Sequence, residues 1–362
     1  MERIDGKTAF ITGGARGIGL GMAKAFLAAG ARVAIADISE EGLAAAVAEL
    51  GGRDRLRALP LDVSDRAAFA RAAEEAERVL GPVSILCSNA GINFMGPLAK
   101  ATYDDWDYIL GTNVGGAVNA VTTFLPRLLE QTGERHIVIT SSIHGVFTAP
   151  MAGVYATSKY ALTGLGESLR ADLQGTGIGI SILVPGPIQT DIFQHADDLR
   201  PSGSETGATP IVPPGVDQKE TPIYQQAMDP DEVGRRVLNG VRRNDLYIMT
   251  HADYGPVLAA RAKAMEAALP DEPEPEPEPE PTLHEQLQLA EELTRTDYAL
   301  AALFETWGLE YRSGGRNGCD QAGDAGLLCL YHRGSWTGLQ QMDRPAILTL
   351  IDDDGTTLQE AS

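Results

Sequence analysis

Thr8-Ala9-Phe10-Ile11-Thr12-Gly13-Gly14-Ala15-Arg16-Gly17-Ile18-Gly19 is the stretch on which the fold of this chain turns. A β-branched and aromatic run, Thr8 to Thr12, breaks into a glycine-rich turn and then into a helical stretch, Leu20 to Ala29. Strand, glycine loop and helix in that order form the opening of a dinucleotide-binding unit. Gly13 permits the tight turn, Gly17 lets the backbone approach a pyrophosphate, and Gly19 lets helix and strand pack closely. Arg16 and Ile18 complete the loop, whose spacing is Gly-x-x-x-Gly-x-Gly. The free N–H groups of the helix N-terminus then face the phosphates.

The alternation continues along the chain. Apolar runs at Arg32 to Asp37, Leu56 to Leu61, Ser84 to Ser88, His136 to Thr140, Ile178 to Val184 and Leu246 to Met249 are separated by segments of helical length. Short buried strands joined by helical crossovers make a parallel sheet with helices on both faces. Seven such strands are expected in all, in a doubly wound α/β fold of the Rossmann type.

Asp37 closes the second run, where a carboxylate can hold both hydroxyls of an adenosine ribose and would repel a 2′-phosphate. Ile38 follows it, so no arginine stands there to neutralise that phosphate, and NAD is expected rather than NADP. Arg16 is the contrary signal. Asp62 and Val63, ending the third run, are placed to meet the adenine edge, with helix capping as the other use of the carboxylate. After the fourth run, Asn89-Ala90-Gly91 lets a flat cofactor lie against the backbone, and Asn89 can tie neighbouring strands together. Asn113 interrupts the expected helix Trp106 to Phe124, either to hold a water for proton relay or as a local kink.

Tyr155 and Lys159 open a long helix after the fifth run, and a four-residue spacing puts phenol and ammonium on one face. A nearby cation favours phenolate, and lowering a phenol by roughly 3 units from about 10 takes about 4 kcal/mol of differential interaction, which a desolvated ammonium and a bound cofactor's cationic ring could supply together. Ser142 can donate to the same substrate oxygen, with Ser141 as its rival. His144 is expected to line the substrate pocket without a catalytic part. Ile192 to Asp229, rich in Pro, Gly and Ser, is expected to form a mobile lid.

Residues 5 to 250 resemble the short-chain dehydrogenase/reductase family, on the loop Thr12 to Gly19, Asp62, Asn89-Ala90-Gly91, Asn113, Ser142, Tyr155-x-x-x-Lys159 and Pro185-Gly186 in order. The resemblance implies catalysis by Asn113, Ser142, Tyr155 and Lys159 and favours Ser142 over Ser141. It also implies a nicotinamide-side loop, Pro185-Gly186-Pro187-Ile188-Gln189-Thr190, with Thr190 and the Ile188 backbone near the carboxamide. An alcohol or ketone substrate and a homodimer or homotetramer follow by the same resemblance. More narrowly, Asn93 to Leu98, Tyr103-Asp104-Asp105-Trp106-Asp107 and Asn244 to Ile248 look like the Cα-alcohol dehydrogenases of lignin-type aryl ethers, which implies a bulky aryl alcohol. The alternative in another class is a non-catalytic NAD(H)-binding adaptor with an acidic docking tail.

Charge separates the tail from the rest. Of 50 acidic and 29 basic residues in the 362-residue chain, 19 and 5 lie from Asp271 onward, so the tail carries two-thirds of the net charge of −21. Domains are accordingly expected at 1–269, a Glu/Pro spacer at 270–281, and a small α+β extension at 282–362, read as a vestigial module or one that docks another protein. Trp307, Cys319, Cys329 and Gly334-Ser335-Trp336 are similar to the papain-like segment of ExeA-type secretion ATPases, although the chain stops before the strand that carries the family's histidine. No basic stripe suggests nucleic acid, no apolar run reaches membrane-spanning length, and no metal site is expected. Three cysteines without framework spacing and a polar start, Met1 to Lys7, fit a cytoplasmic protein.

Overall fold

Strand side chains alternate between the two faces of a sheet, and two hydrophobic cores follow from that period here. The computed structural model describes residues 1, 3–51, 54–192, 199–210, 218–270, 309–313 and 328–332. In β1 (Thr8–Thr12), Phe10 enters one core while Ala9 and Ile11 enter the other. The same division holds in β2 (Arg32–Asp37), β4 (Val83–Ser88) and β5 (Arg135–Thr140), where Leu86, Ile137 and Ile139 oppose Ile85, Cys87 and Val138.

Helices cover both faces because both are apolar. On the first, Phe10 meets Phe69 of α3 (Arg66–Leu80) at 6.0 Å and Phe124 of α5 (Gly116–Leu129) at 4.8 Å between ring centroids. On the second, Met22 and Phe26 of α1 (Gly17–Ala28) pack with Val233, Val237 and Val241 of the helix Pro230–Arg243. Fully burying each Phe contributes about 1.5–3 kcal/mol.

With β3 (Leu56–Pro60), β6 (Ile178–Val184) and β7 (Tyr247–Met249), the seven strands pair in parallel in the order β3-β2-β1-β4-β5-β6-β7. This is the expected doubly wound Rossmann sheet, and the observed bounds differ from the apolar runs by a residue at most. The expected helix Trp106 to Phe124 is different. It begins as α4 (Tyr103–Ile109), widens into a π-turn over Leu110–Gly115, and only then continues as α5. The π-turn contains Asn113, whose side chain takes up backbone groups outside the helix.

The chain divides into a unit of Met1–Leu269 and a unit of Pro270–Ser362. Of the second, the structure describes an antiparallel strand pair, Leu309–Ser313 with Leu328–His332. The Glu/Pro spacer, the helix expected at Leu283 to Phe304, Trp307, Cys319 and the apolar run Ala346 to Ile351 lie outside the described residues. No described helix is long and apolar enough to cross a membrane.

Candidate active site

The order of strands reverses between β1 and β4, and a crevice opens at their carboxyl ends. Asn89 stitches this point together. Its Nδ2 donates to the Thr12 carbonyl at 3.0 Å, its Oδ1 accepts from Thr140 Oγ1 at 3.2 Å, and its backbone N–H donates to Thr12 Oγ1 at 2.9 Å. Three strands are thereby held at one residue. Gly13 has φ +64°, and a Cβ there would stand 2.9 Å from the Ala90 Cα. At Gly19 a Cβ would stand 2.0 Å from the Gly13 carbonyl oxygen. Gly19 thus acts in packing, as expected, and is not on the crevice wall.

The crevice, about 330 Å³, gathers Gly13, Arg16, Gly17, Ile18, Asp37, Asp62, Val63, Asn89, Ala90, Gly91, Tyr155, Lys159, Pro185 and Thr190 from the residues expected to act. At its floor the N-terminus of α1 has neither a side-chain cap nor an acidic residue in its first turn. The next two helices are capped. Ser39 caps α2 (Glu40–Leu50), and Asp65 caps α3. The bare α1 terminus, flanked by glycine, fits an anionic group such as a pyrophosphate. Asp65 also frees Asp62 from capping, and Asp62 accepts instead from Ser64 N–H and Oγ. Asp37 accepts from the backbone of Ala15 and Ser39, each at 3.1 Å, so the carboxylate is held at the far end of the loop.

Tyr155 and Lys159 stand on α6 (Gly153–Asp172), both buried against the crevice. Ser142, just after β5, hydrogen-bonds the Tyr155 hydroxyl and accepts from His144 N–H at 3.1 Å. Ser141 lines the crevice but its hydroxyl is engaged by the Lys159 carbonyl at 2.9 Å and Thr163 Oγ1 at 2.8 Å. Asn113 and Ser142 lie behind the crevice wall. The Asn113 side chain uses both donors and its oxygen, donating to the Ile92 carbonyl and Ser158 Oγ and accepting from Ile92 N–H. Ser158 in turn donates to the Tyr155 carbonyl. Gly186 and Ile188 also lie off the wall, Gly186 N–H bonded to Thr250 Oγ1 and Ile188 bridged to Met228.

A model of the short chain dehydrogenase family matches residues 7–200. The chain belongs to that family.

Short-chain dehydrogenases are oxidoreductases that bind a nicotinamide cofactor. The chain is 38% identical over 260 residues to the C alpha-dehydrogenase of a Sphingobium species, covering 70% of this chain and 83% of that protein. A putative short-chain dehydrogenase from Novosphingobium aromaticivorans shares its structure with a TM-score of 0.65 and 33% identity, over 84% of this chain and all of that one. A short chain dehydrogenase/reductase from Burkholderia phymatum, solved in complex with NAD, aligns with a TM-score of 0.68 and 29% identity, over 75% of this chain and 99% of that one.

Electrostatics of this short-chain dehydrogenase depart from one expectation. Burial pushes the Tyr155 phenol up to about 12, and the Ser142 hydrogen bond offsets only part of it. Burial pushes Lys159 down to about 8. In the protein alone the phenol is therefore raised, and the lowering expected from lysine and a bound cofactor's cationic ring together is not supplied by lysine by itself. Lys159 Nζ stands over the face of the Tyr155 ring, 5.5 Å from its centroid, and donates to the Thr140 carbonyl at 3.2 Å. Desolvation of both groups outweighs their attraction. His144 is not on the crevice wall. Its ring stands edge-on to Tyr155 at 6.1 Å, and burial lowers its basicity despite a backbone hydrogen bond with Phe147.

Several residues serve the site through contacts that only the structure shows. Thr12 and Thr140 are the hubs around Asn89 and Lys159, and Ser158 joins Asn113 to Tyr155. Ile92, Tyr108, Leu199 and Pro201 supply an apolar wall. Of the expected lid, residues 193–198 and 211–217 lie outside the described residues, and residues 199–210 are docked against the segment 95–105. Among the described residues no cluster of His, Cys, Asp or Glu is arranged to hold a metal.

Proposed function

We propose that the chain is an NAD-dependent dehydrogenase interconverting a secondary alcohol and its ketone, with a bulky aryl alcohol as the preferred substrate class. The observation that carries this reading is the convergence of Tyr155 and Lys159 beside an uncapped helix terminus in one crevice, with Ser142 against the Tyr155 hydroxyl. The nicotinamide, when bound, accepts or returns the hydride. Tyr155 takes the proton of the substrate hydroxyl, and the Ser142 hydroxyl holds the same oxygen as its charge changes. Lys159 stands by the phenol as the countercharge that a phenolate needs in a dry site. The π-turn at Asn113 takes helical carbonyls from their usual partners, and these, rather than the side chain bonded to Ile92 and Ser158, would hold a relay water.

Asp37 on the crevice wall favours NAD, because a 2′-phosphate would meet a fixed carboxylate. Arg16 is drawn toward the start of α2, where a Cβ on Gly42 would stand 3.0 Å from its guanidinium. Tyr108, Leu199, Pro201 and Ile92 support a large apolar substituent. The similarity to a C alpha-dehydrogenase agrees with that class.

The test is nicotinamide absorbance with NAD and with NADP across aliphatic, steroidal and benzylic aryl-ether secondary alcohols. NAD reduction by a benzylic member is expected, and Tyr155→Phe should abolish it while NADH binding, followed by fluorescence, persists. Turnover surviving in Tyr155→Phe would remove the phenol from its role. NADH binding with no alcohol oxidised would favour an adaptor.

A further inference from the structure

Asp105 is fully buried, yet the chemistry above makes no use of it. Its Oδ2 closes a capping box at the start of α4, accepting from Thr102 N–H at 2.9 Å and Thr102 Oγ1 at 3.1 Å. The same oxygen accepts from Gly207 N–H at 2.9 Å. Oδ1 accepts from Thr206 Oγ1 at 2.8 Å and stands 2.9 Å from the Arg200 guanidinium, whose side chain is 10% exposed. Five partners occupy one carboxylate, and three of them belong to residues 199–210.

That segment is held along its length. Glu205 N–H donates to Asp104 Oδ2, the Glu205 carbonyl oxygen lies 3.1 Å from Thr102 Oγ1, and Thr209 N–H donates to the Met95 carbonyl at 2.7 Å. Contact is close enough that a Cβ on Gly207 would stand 1.9 Å from the Lys100 carbonyl oxygen. The inner side of the same segment meets the site. Leu199 and Pro201 line the crevice with Tyr108, Arg200 lies over the Tyr108 ring at 5.1 Å, and Ala208 packs on the apolar cluster that contains Ile92 and Tyr155.

We propose that Asp105 is a positioning residue, which fixes residues 199–210 as a pre-docked apolar wall so that the crevice selects bulky apolar secondary alcohols over small ones. The substrate part of this statement rests on the dehydrogenase reading above. The docking part does not. Replacing the carboxylate strands a buried guanidinium, which favours release of the segment. A water-filled, unwalled crevice then loses contacts with a large substituent and none with a small one.

The experiment is hydrogen exchange by mass spectrometry on the full chain, for the wild type, Asp105→Asn and Gly207→Ala. The last variant displaces the segment by sterics alone and leaves the carboxylate intact, so it carries the test if Asp105→Asn does not fold. Peptides over 199–210 should be protected in the wild type and exchange about tenfold faster in both variants, the loss of one or two hydrogen bonds, while α6 peptides stay unchanged. Adding Arg200→Met to Asp105→Asn should restore part of the protection. In parallel, KM for benzhydrol should rise about tenfold in both variants while kcat/KM for isopropanol stays within about twofold. An unprotected segment in the wild type, or undiminished protection in the variants, overturns the docking. Equal losses for the two alcohols overturn the selective role. If neither alcohol reacts with the wild type, the dehydrogenase reading and the substrate part fall together, and exchange alone decides the docking.

Discussion

Lys159→Met should make the protein more stable at neutral pH while destroying its turnover. Lys159 is 3% exposed and burial brings its pKa from 10.5 to about 8. Below pH 8 the folded protein carries a desolvated ammonium, and a shift of that size costs about 3 kcal/mol. Between pH 8 and 10.5 the unfolded lysine is protonated and the folded one is not, so unfolding takes up a proton and stability rises with pH. Tyr155 works against this only above pH 10, where its raised pKa makes the folded state the better proton binder. Methionine keeps most of the packing volume and loses the hydrogen bond to the Thr140 carbonyl, worth about 1 kcal/mol. The net gain expected at pH 7 is about 2 kcal/mol. The assay is urea unfolding of cofactor-free protein from pH 7 to 10. The wild-type midpoint should climb across that range relative to the variant's, so that the two curves converge. A variant less stable than wild type at pH 7, with the same pH slope, would refute a desolvated lysine at this site.

Three further outcomes are expected. Gly19→Ala drives a Cβ against the Gly13 carbonyl, so the loop must shift; overpacking of this kind costs about 1–3 kcal/mol and should show as a lower melting temperature and weakened NADH fluorescence enhancement. Asn113→Ala orphans the buried Ile92 N–H and carbonyl, which costs about 2–4 kcal/mol in urea unfolding and reduces turnover with it. Asp37→Ser removes the carboxylate that faces the ribose position, and the ratio of kcat/KM with NADP to that with NAD should rise by about tenfold or more, corresponding to at least 1.4 kcal/mol; an unchanged ratio would leave Arg16 as the determinant.

The fold is legible because its causes are local. Alternating apolar residues such as Phe10 and Ile11 commit a strand to two faces, and that period predicts the doubly wound sheet before any contact is known. Glycine spacing from Gly13 to Gly19 works the same way, since a positive φ and a close approach are requirements of the chain at that point. The helix through Asn113 is only partly legible, for an equally physical reason. The sequence marks Asn113 as an interruption but not its form, because the π-turn and the bonds of the asparagine side chain to Ile92, 21 residues earlier, are tertiary features.

By itself the sequence determined the strand and helix succession, the glycine loop and the one-turn spacing of Tyr155 and Lys159, all properties of backbone geometry within a few residues. The tertiary structure adds a physical reason to the preference for Ser142 that the family resemblance implies, because the Ser141 hydroxyl is engaged by the Lys159 carbonyl and Thr163 while Ser142 lies against Tyr155. It also decided the direction of the tyrosine and lysine shifts, which desolvation sets and only burial reveals. Asp105 holding Arg200, Thr206 and Gly207 belongs there too, since a carboxylate's partners some hundred residues away are chosen by packing and leave no periodic trace in the chain.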